Sequence, residues 1–166
     1  MSASNNVIVL NTHNLPVRRI EGFVDGTPKP GTVMQVQAAT EPVLGRYSWT
    51  AYNRDADGDR PAGPIAVLDV DELTGKLVSD AYVDNAQCFL FVPLSGDELN
   101  VLCINLTGSG SGVSDVFAIG DLLIVDDGTG KCVNSNSMGT VEDEPFVVLE
   151  TVASISADIL VHVMRC

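Results

Sequence analysis

Apolar positions come in short runs separated by glycine, proline and aspartate, and no run keeps a helical period. Val33, Gln35 and Gln37 alternate with Met34, Val36 and Ala38, the pattern of a half-buried strand. Tyr47-Ser48-Trp49-Thr50-Ala51-Tyr52 puts Tyr47, Trp49 and Ala51 on one face, and Ile65-Ala66-Val67-Leu68 predicts another strand. Runs at 88–93 and 99–106 flank Ser95-Gly96-Asp97-Glu98, which predicts a hairpin. In Val101-Leu102-Cys103-Ile104-Asn105-Leu106 both faces are nearly apolar. Such a strand needs cover on both sides, from a core and from a second layer or another subunit.

Residues 116–131 hold the pattern together. An apolar run stops at Gly120-Asp121, restarts as Leu122-Leu123-Ile124-Val125, and breaks again at Asp127-Gly128-Thr129-Gly130. Glycine accepts positive φ and aspartate bonds its own backbone, so the stretch predicts a strand, a corner, a second strand and a hairpin turn. Lys131-Cys132-Val133 returns from that turn, and residues 159–164 predict a closing strand. Phe146-Val147-Val148-Leu149-Glu150-Thr151-Val152-Ala153 is ambiguous between helix and strand, with β-branched content favouring a strand.

Residues 1–31 differ. One β-like run, Val7-Ile8-Val9-Leu10, is followed by turn residues and by Thr27-Pro28-Lys29-Pro30-Gly31, where proline excludes a helix or a central strand. The division expected is an extended N-terminal arm over 1–31 and a single β domain over 32–166. The fold class expected is all-β, a small β-barrel or sandwich of short antiparallel strands.

Charge narrows the partners. Nine basic residues oppose 22 acidic ones, a net charge of −13. Nucleic acid and anionic membrane are disfavoured, since both need Lys and Arg at the surface. The acidity serves solubility or a partner with a basic surface. No apolar run reaches the ~20 residues of a membrane helix. Met-Ser-Ala-Ser-Asn-Asn has neither a basic nor an apolar signal region, so secretion is not expected. Cys88, Cys103, Cys132 and Cys166 lie far apart, which argues against zinc and favours reduced thiols.

The candidate chemistry is sparse. Asp55-Ala56-Asp57-Gly58-Asp59 resembles half of a calcium loop, but Arg60 stands where glycine is needed and Ala66 where a bidentate glutamate belongs. Asp69, Asp71 and Glu72 form a second acidic cluster. His13 and His162 lack a marked partner for nucleophilic catalysis. The glycine-serine run at 108–112 is not followed by the Gly-Lys-Ser/Thr of a phosphate loop. No catalytic, cofactor-binding or metal residue is assigned, no cofactor is expected, and the chain is not expected to be an enzyme. Arg18-Arg19 is read either as a solvated pair or as a contact to an acidic surface on another subunit. Trp49 with Tyr47 and Tyr52 is the one candidate aromatic platform, with core packing of Trp49 favoured.

These segments together resemble the head decoration (capsid cement) proteins of tailed bacteriophages. The likeness rests on Gly31-Thr32-Val33 leaving an arm, on Pro64-Ile65-Ala66-Val67-Leu68, and on the Gly120-Asp121 corner opening Leu122-Leu123-Ile124. It continues through Gly128-Thr129-Gly130 and Val147-Val148-Leu149-Glu150-Thr151. Family members often carry an Ala-rich helix before the Glu-Thr pair, where this chain has Val147 and Val148. The resemblance covers about residues 31–165 and implies a virion structural protein, made in the host cytoplasm and placed on the capsid exterior. There it would contact major capsid protein subunits, as a homotrimer at three-fold and quasi-three-fold positions, and stabilise the shell. The alternatives are another virion β-protein (head fibre base, tail or baseplate component) or a host-surface or carbohydrate binding module.

Overall fold

The computed structural model describes residues 8–12, 18–37, 46–52, 65–70, 77–104, 116–126, 128–134, 146–152 and 158–166. Its strands in chain order are β1 (Val9–Asn11), β2 (Arg19–Val24), β3 (Val33–Val36), β4 (Ser48–Ala51), β5 (Ala66–Leu68) and β6 (Gln87–Phe91). They continue as β7 (Glu98–Cys103), β8 (Leu122–Val125), β9 (Cys132–Asn134), β10 (Phe146–Val148) and β11 (Ile159–Arg165). There is no helix among the described residues.

The strands close into two five-stranded barrels. The first-half barrel runs β2-β4-β3-β5-β6, and β6 pairs back to β2. The second-half barrel runs β7-β11-β10-β8-β9, and β9 pairs back to β7, with β1 added on β7. Five strands cannot alternate in direction all the way round a ring, so each barrel must hold a parallel pair. These pairs are β2–β4 and β7–β9. Parallel ladders are slightly less stable per residue, so each barrel carries one weak seam.

Each barrel has its own filling. Val24, Met34, Trp49, Ala66, Leu68, Tyr82, Cys88 and Leu90 pack inside the first. Ile8, Leu99, Val101, Cys103, Phe117, Leu123, Phe146, Val148, Val161 and Val163 belong to the core of the second. Strand alternation explains why the barrels adhere. Met34, Ala66 and Leu68 point into the first barrel, so Val33 and Val67 point out of it, and both join the core of its neighbour. Burying such side chains is worth roughly 1.5–3 kcal/mol each relative to exposure.

Several expectations change. Ser95-Gly96 does turn the chain, yet β6 and β7 do not pair, because β6 belongs to one barrel and β7 to the other. The turn docks on the end of β11 instead: Gly96 N–H donates to Arg165 O (2.8 Å) and Arg165 N–H to Asp97 O (2.9 Å). Residues 19–24, read as arm, form strand β2 of the first barrel. Arg19 through Phe23 are in register with Phe91 through Gln87. Gly22 hid this strand, and its role is steric: a Cβ there would lie 2.4 Å from Trp49 Cδ1. Of the remaining arm, β1 lies along β7 and buries Ile8, while residues 1–7 and 13–17 fall outside the described residues. Residues 146–148 form strand β10, as their β-branched content favoured.

Strand β7 is covered on both faces, and the second layer comes from the same chain. Along one edge its N–H groups, together with that of Ile104 just past its end, meet three different segments. Asn100 donates to Ile8 O (2.7 Å), Leu102 to Gly31 O (2.9 Å) and Ile104 to Cys132 O (3.1 Å). The other edge pairs with β11 over six residues, Glu98 to Cys103.

Candidate functional site

The β8–β9 hairpin forms as its turn residues predict. Asp126 N–H donates to Lys131 O at 2.7 Å, and Thr129 Oγ1 to Asp126 Oδ2 at 2.6 Å. The hairpin also clasps the two barrels. Val33 N–H donates to Gly130 O at 2.7 Å, and Gly128 N–H to Tyr52 O at 3.1 Å. Beside this clasp lies a cavity of about 420 Å³, between the hairpin and the β2–β3 turn. Asp25, Lys29, Thr32, Lys131 and Asp158 contribute to its wall, so its lining is mixed in charge. Lys131 is spent on Asp158, Nζ to Oδ2 at 2.5 Å.

The corner at Gly120-Asp121 is more distinctive. Gly120 takes φ +92°, which glycine adopts without strain. One oxygen of Asp121, Oδ2, accepts from Ala118 N–H (2.8 Å) and from Nδ2 of buried Asn134 (2.7 Å). Gly120 N–H donates to Val148 O (2.9 Å) and Val148 N–H to Asp121 O (2.8 Å). Phe117, fully buried, bridges antiparallel to Val152 beneath. On this braced corner Val116, Ile119 and Leu122 are 43%, 67% and 37% exposed. Asp121 therefore serves as framework for the corner between strands, and the corner it frames is also an apolar surface. Sequence reasoning missed this, because Val116, Ile119 and Leu122 recur every third residue, which is neither the alternation of a strand nor a sustained helical period. The available signal was three large apolar residues crowded around a turn.

The remaining candidates fall as follows. Arg18 and Arg19 each pair with a buried aspartate of this chain. Arg18 pairs with buried Asp97 and donates Nε–H to Val92 O (3.1 Å), while Arg19 Nη2 lies 2.6 Å from Oδ2 of buried Asp69. Asp69 thus serves the fold, and Asp71 and Glu72 lie outside the described residues, as do Asp55, Asp57, Asp59, His13 and residues 108–112. His162 Nε2 lies 3.2 Å from Glu98 Oε2 on the outer face of β11, and its backbone N–H donates to Glu150 Oε1 (3.0 Å). Trp49 is 3% exposed inside the first barrel and Tyr52 is buried, leaving Tyr47 alone outside.

None of the four cysteines is in a disulfide; Cys88, Cys103 and Cys132 are buried and Cys166 is exposed. Burial pushes the Cys88 thiol up to about 12, with a backbone hydrogen bond at Gly22 pulling the other way. Burial raises Cys103 well above the ordinary thiol value, and the neighbouring Cys132 adds to the rise; Cys132 is itself raised by burial. While the barrels stay closed, these thiols behave as core side chains rather than nucleophiles.

No protein-family model matches this chain, and no curated protein matches it.

Proposed function

We propose that this chain is a structural virion protein that decorates the outside of a phage capsid and cements the shell by contacting major capsid protein subunits. The observation that carries the reading is the braced apolar corner. Val116, Ile119 and Leu122 stand exposed on a backbone held by four hydrogen bonds to Asp121, Gly120 and Val148. A rigid apolar patch loses little conformational freedom on docking, so the burial it offers is retained as affinity. Binding the assembled shell in preference to its unexpanded form then stabilises the shell by linkage. Trimers at three-fold and quasi-three-fold positions follow from the family resemblance, and a net charge of −13 calls for a less acidic surface on the shell.

The carbohydrate-module alternative loses ground, because the indole it would stack on is used inside the first barrel. Electron microscopy of particles from the lysate that yields this protein tests the proposal. Protrusions at three-fold positions, in copy numbers matching the capsid lattice, are expected. Density confined to one vertex favours a tail component, and a free monomer with bare capsids overturns the reading. Ile119→Glu is expected to strip the protrusions while leaving the thermal midpoint of the free protein unchanged.

A further inference from the structure

The second-half barrel closes on a single register pair, and both members are cysteine. Cys103 of β7 and Cys132 of β9 are Cα partners in a parallel ladder. Registered residues on neighbouring strands project to the same side of the sheet, and both side chains lie fully buried in one core cluster. Neighbouring strands lie about 4.8 Å apart, within the roughly 4.4–6.8 Å of Cα separation that a disulfide spans. The adjoining ladder between β7 and β11 holds six register pairs, so the β7–β9 seam is the place where this barrel opens most readily.

We propose that Cys103 and Cys132 are a latent disulfide, a redox staple that locks the weak seam of the second-half barrel when the chain meets a disulfide donor such as oxidised glutathione. When the seam opens, one cysteine thiolate attacks the donor disulfide. A protein–donor mixed disulfide forms and one donor thiolate leaves. The second cysteine thiolate attacks the protein sulfur of that mixed bond and releases the other donor thiolate. Both protons lost from the cysteines end on the two donor thiols, so two protein thiols are oxidised and one donor disulfide is reduced. Both thiols are shielded in the closed barrel, so the seam's opening sets the pace of the first attack. Once closed, the bond ties residues 103 and 132 and narrows the unfolded ensemble.

The test uses the full wild-type chain. Native protein is incubated with oxidised glutathione, remaining thiols are blocked with iodoacetamide, and the linkage is mapped by peptide mass spectrometry. A Cys103–Cys132 bridge is expected, with a thermal midpoint raised by about 5–15 °C over the reduced chain. Cys103→Ala and Cys132→Ala should each abolish the bridge and the rise, while Cys166→Ser keeps both. Separate glutathionylation of Cys103 and Cys132, persistence of both as free thiols while Cys166 reacts, or a bridge with no rise in midpoint would overturn the proposal.

Discussion

Gly130 O accepts a hydrogen bond of 2.7 Å from the N–H of Val33, joining the β8–β9 hairpin of one barrel to the first residue of β3 in the other. The approach is close enough to exclude a side chain. A Cβ on Gly130 would lie 2.3 Å from Val33 O and 2.8 Å from Thr32 Cγ2, with φ at +64° adding strain. Gly130→Ala is expected to destabilise the protein by about 2–4 kcal/mol. Gly128→Ala, in open space at φ +75°, should cost only about 1 kcal/mol. Urea midpoints of the two variants check the difference, and equal losses would deny the clasp its role.

Gly22 makes a parallel case in the other barrel. Trp49 Cδ1 and Nε1 would stand 2.4 and 2.7 Å from an added Cβ, and Tyr47 O 2.9 Å from it. Gly22→Ala should therefore push the indole out of its place, costing about 2–3 kcal/mol. Since Trp49 is the only tryptophan, its emission should shift to longer wavelength as the ring meets water. An unshifted spectrum would mean that the barrel accommodates the methyl elsewhere.

The Arg19–Asp69 pair tests whether the paired arginines serve the fold. Asp69 is buried while the Arg19 side chain is 45% exposed, so solvent screens part of the attraction. Arg19→Ala leaves a buried carboxylate without its cation and should cost about 1–3 kcal/mol. The double variant Arg19→Ala with Asp69→Ala should cost less than the sum of the two single losses. Additive losses in a double-mutant cycle would show the pair to be uncoupled.

Buried thiols set the alkaline limit. Burial pushes the Cys88 thiol from its ordinary 9.0 up to about 12 in the folded chain. Above pH 9 the unfolded chain sheds this proton while the folded chain keeps it, so stability is intact below pH 9 and falls between about 9 and 12. The slope approaches roughly 1.4 kcal/mol per pH unit for each such thiol. Cys88→Ala should flatten the decline in denaturant midpoint between pH 9 and 11. Under native conditions at pH 8, a thiol reagent should modify Cys166 quickly and the three buried cysteines slowly. Fast modification of Cys88 would contradict its burial.

Local chemistry made a large part of this architecture legible. Most strands could be placed from alternation and turn residues, and the β8–β9 hairpin from Asp127, Gly128 and Gly130, because these signals act within a few residues of chain. The strand at 19–24 was illegible, since Gly22 lowers strand propensity and its reason, the indole of Trp49, sits 27 positions further along. The exposed corner was half legible: its turn could be read, but the exposure of Ile119 depends on what the rest of the fold fails to cover.

By itself, then, the sequence determined an all-β chain with short strands, two-faced apolar stretches and scattered cysteines. Only the tertiary structure decided which strands pair. A turn such as Ser95-Gly96 reverses the chain for local reasons, but the ladder that follows depends on where surplus apolar faces find cover. Val33 and Val67 find it against the core of the second-half barrel, so β6 and β7 part company at that turn. Ring closure with five strands then demanded one parallel seam in each barrel. That demand brought Cys103 beside Cys132, a neighbourhood invisible in their spacing along the chain.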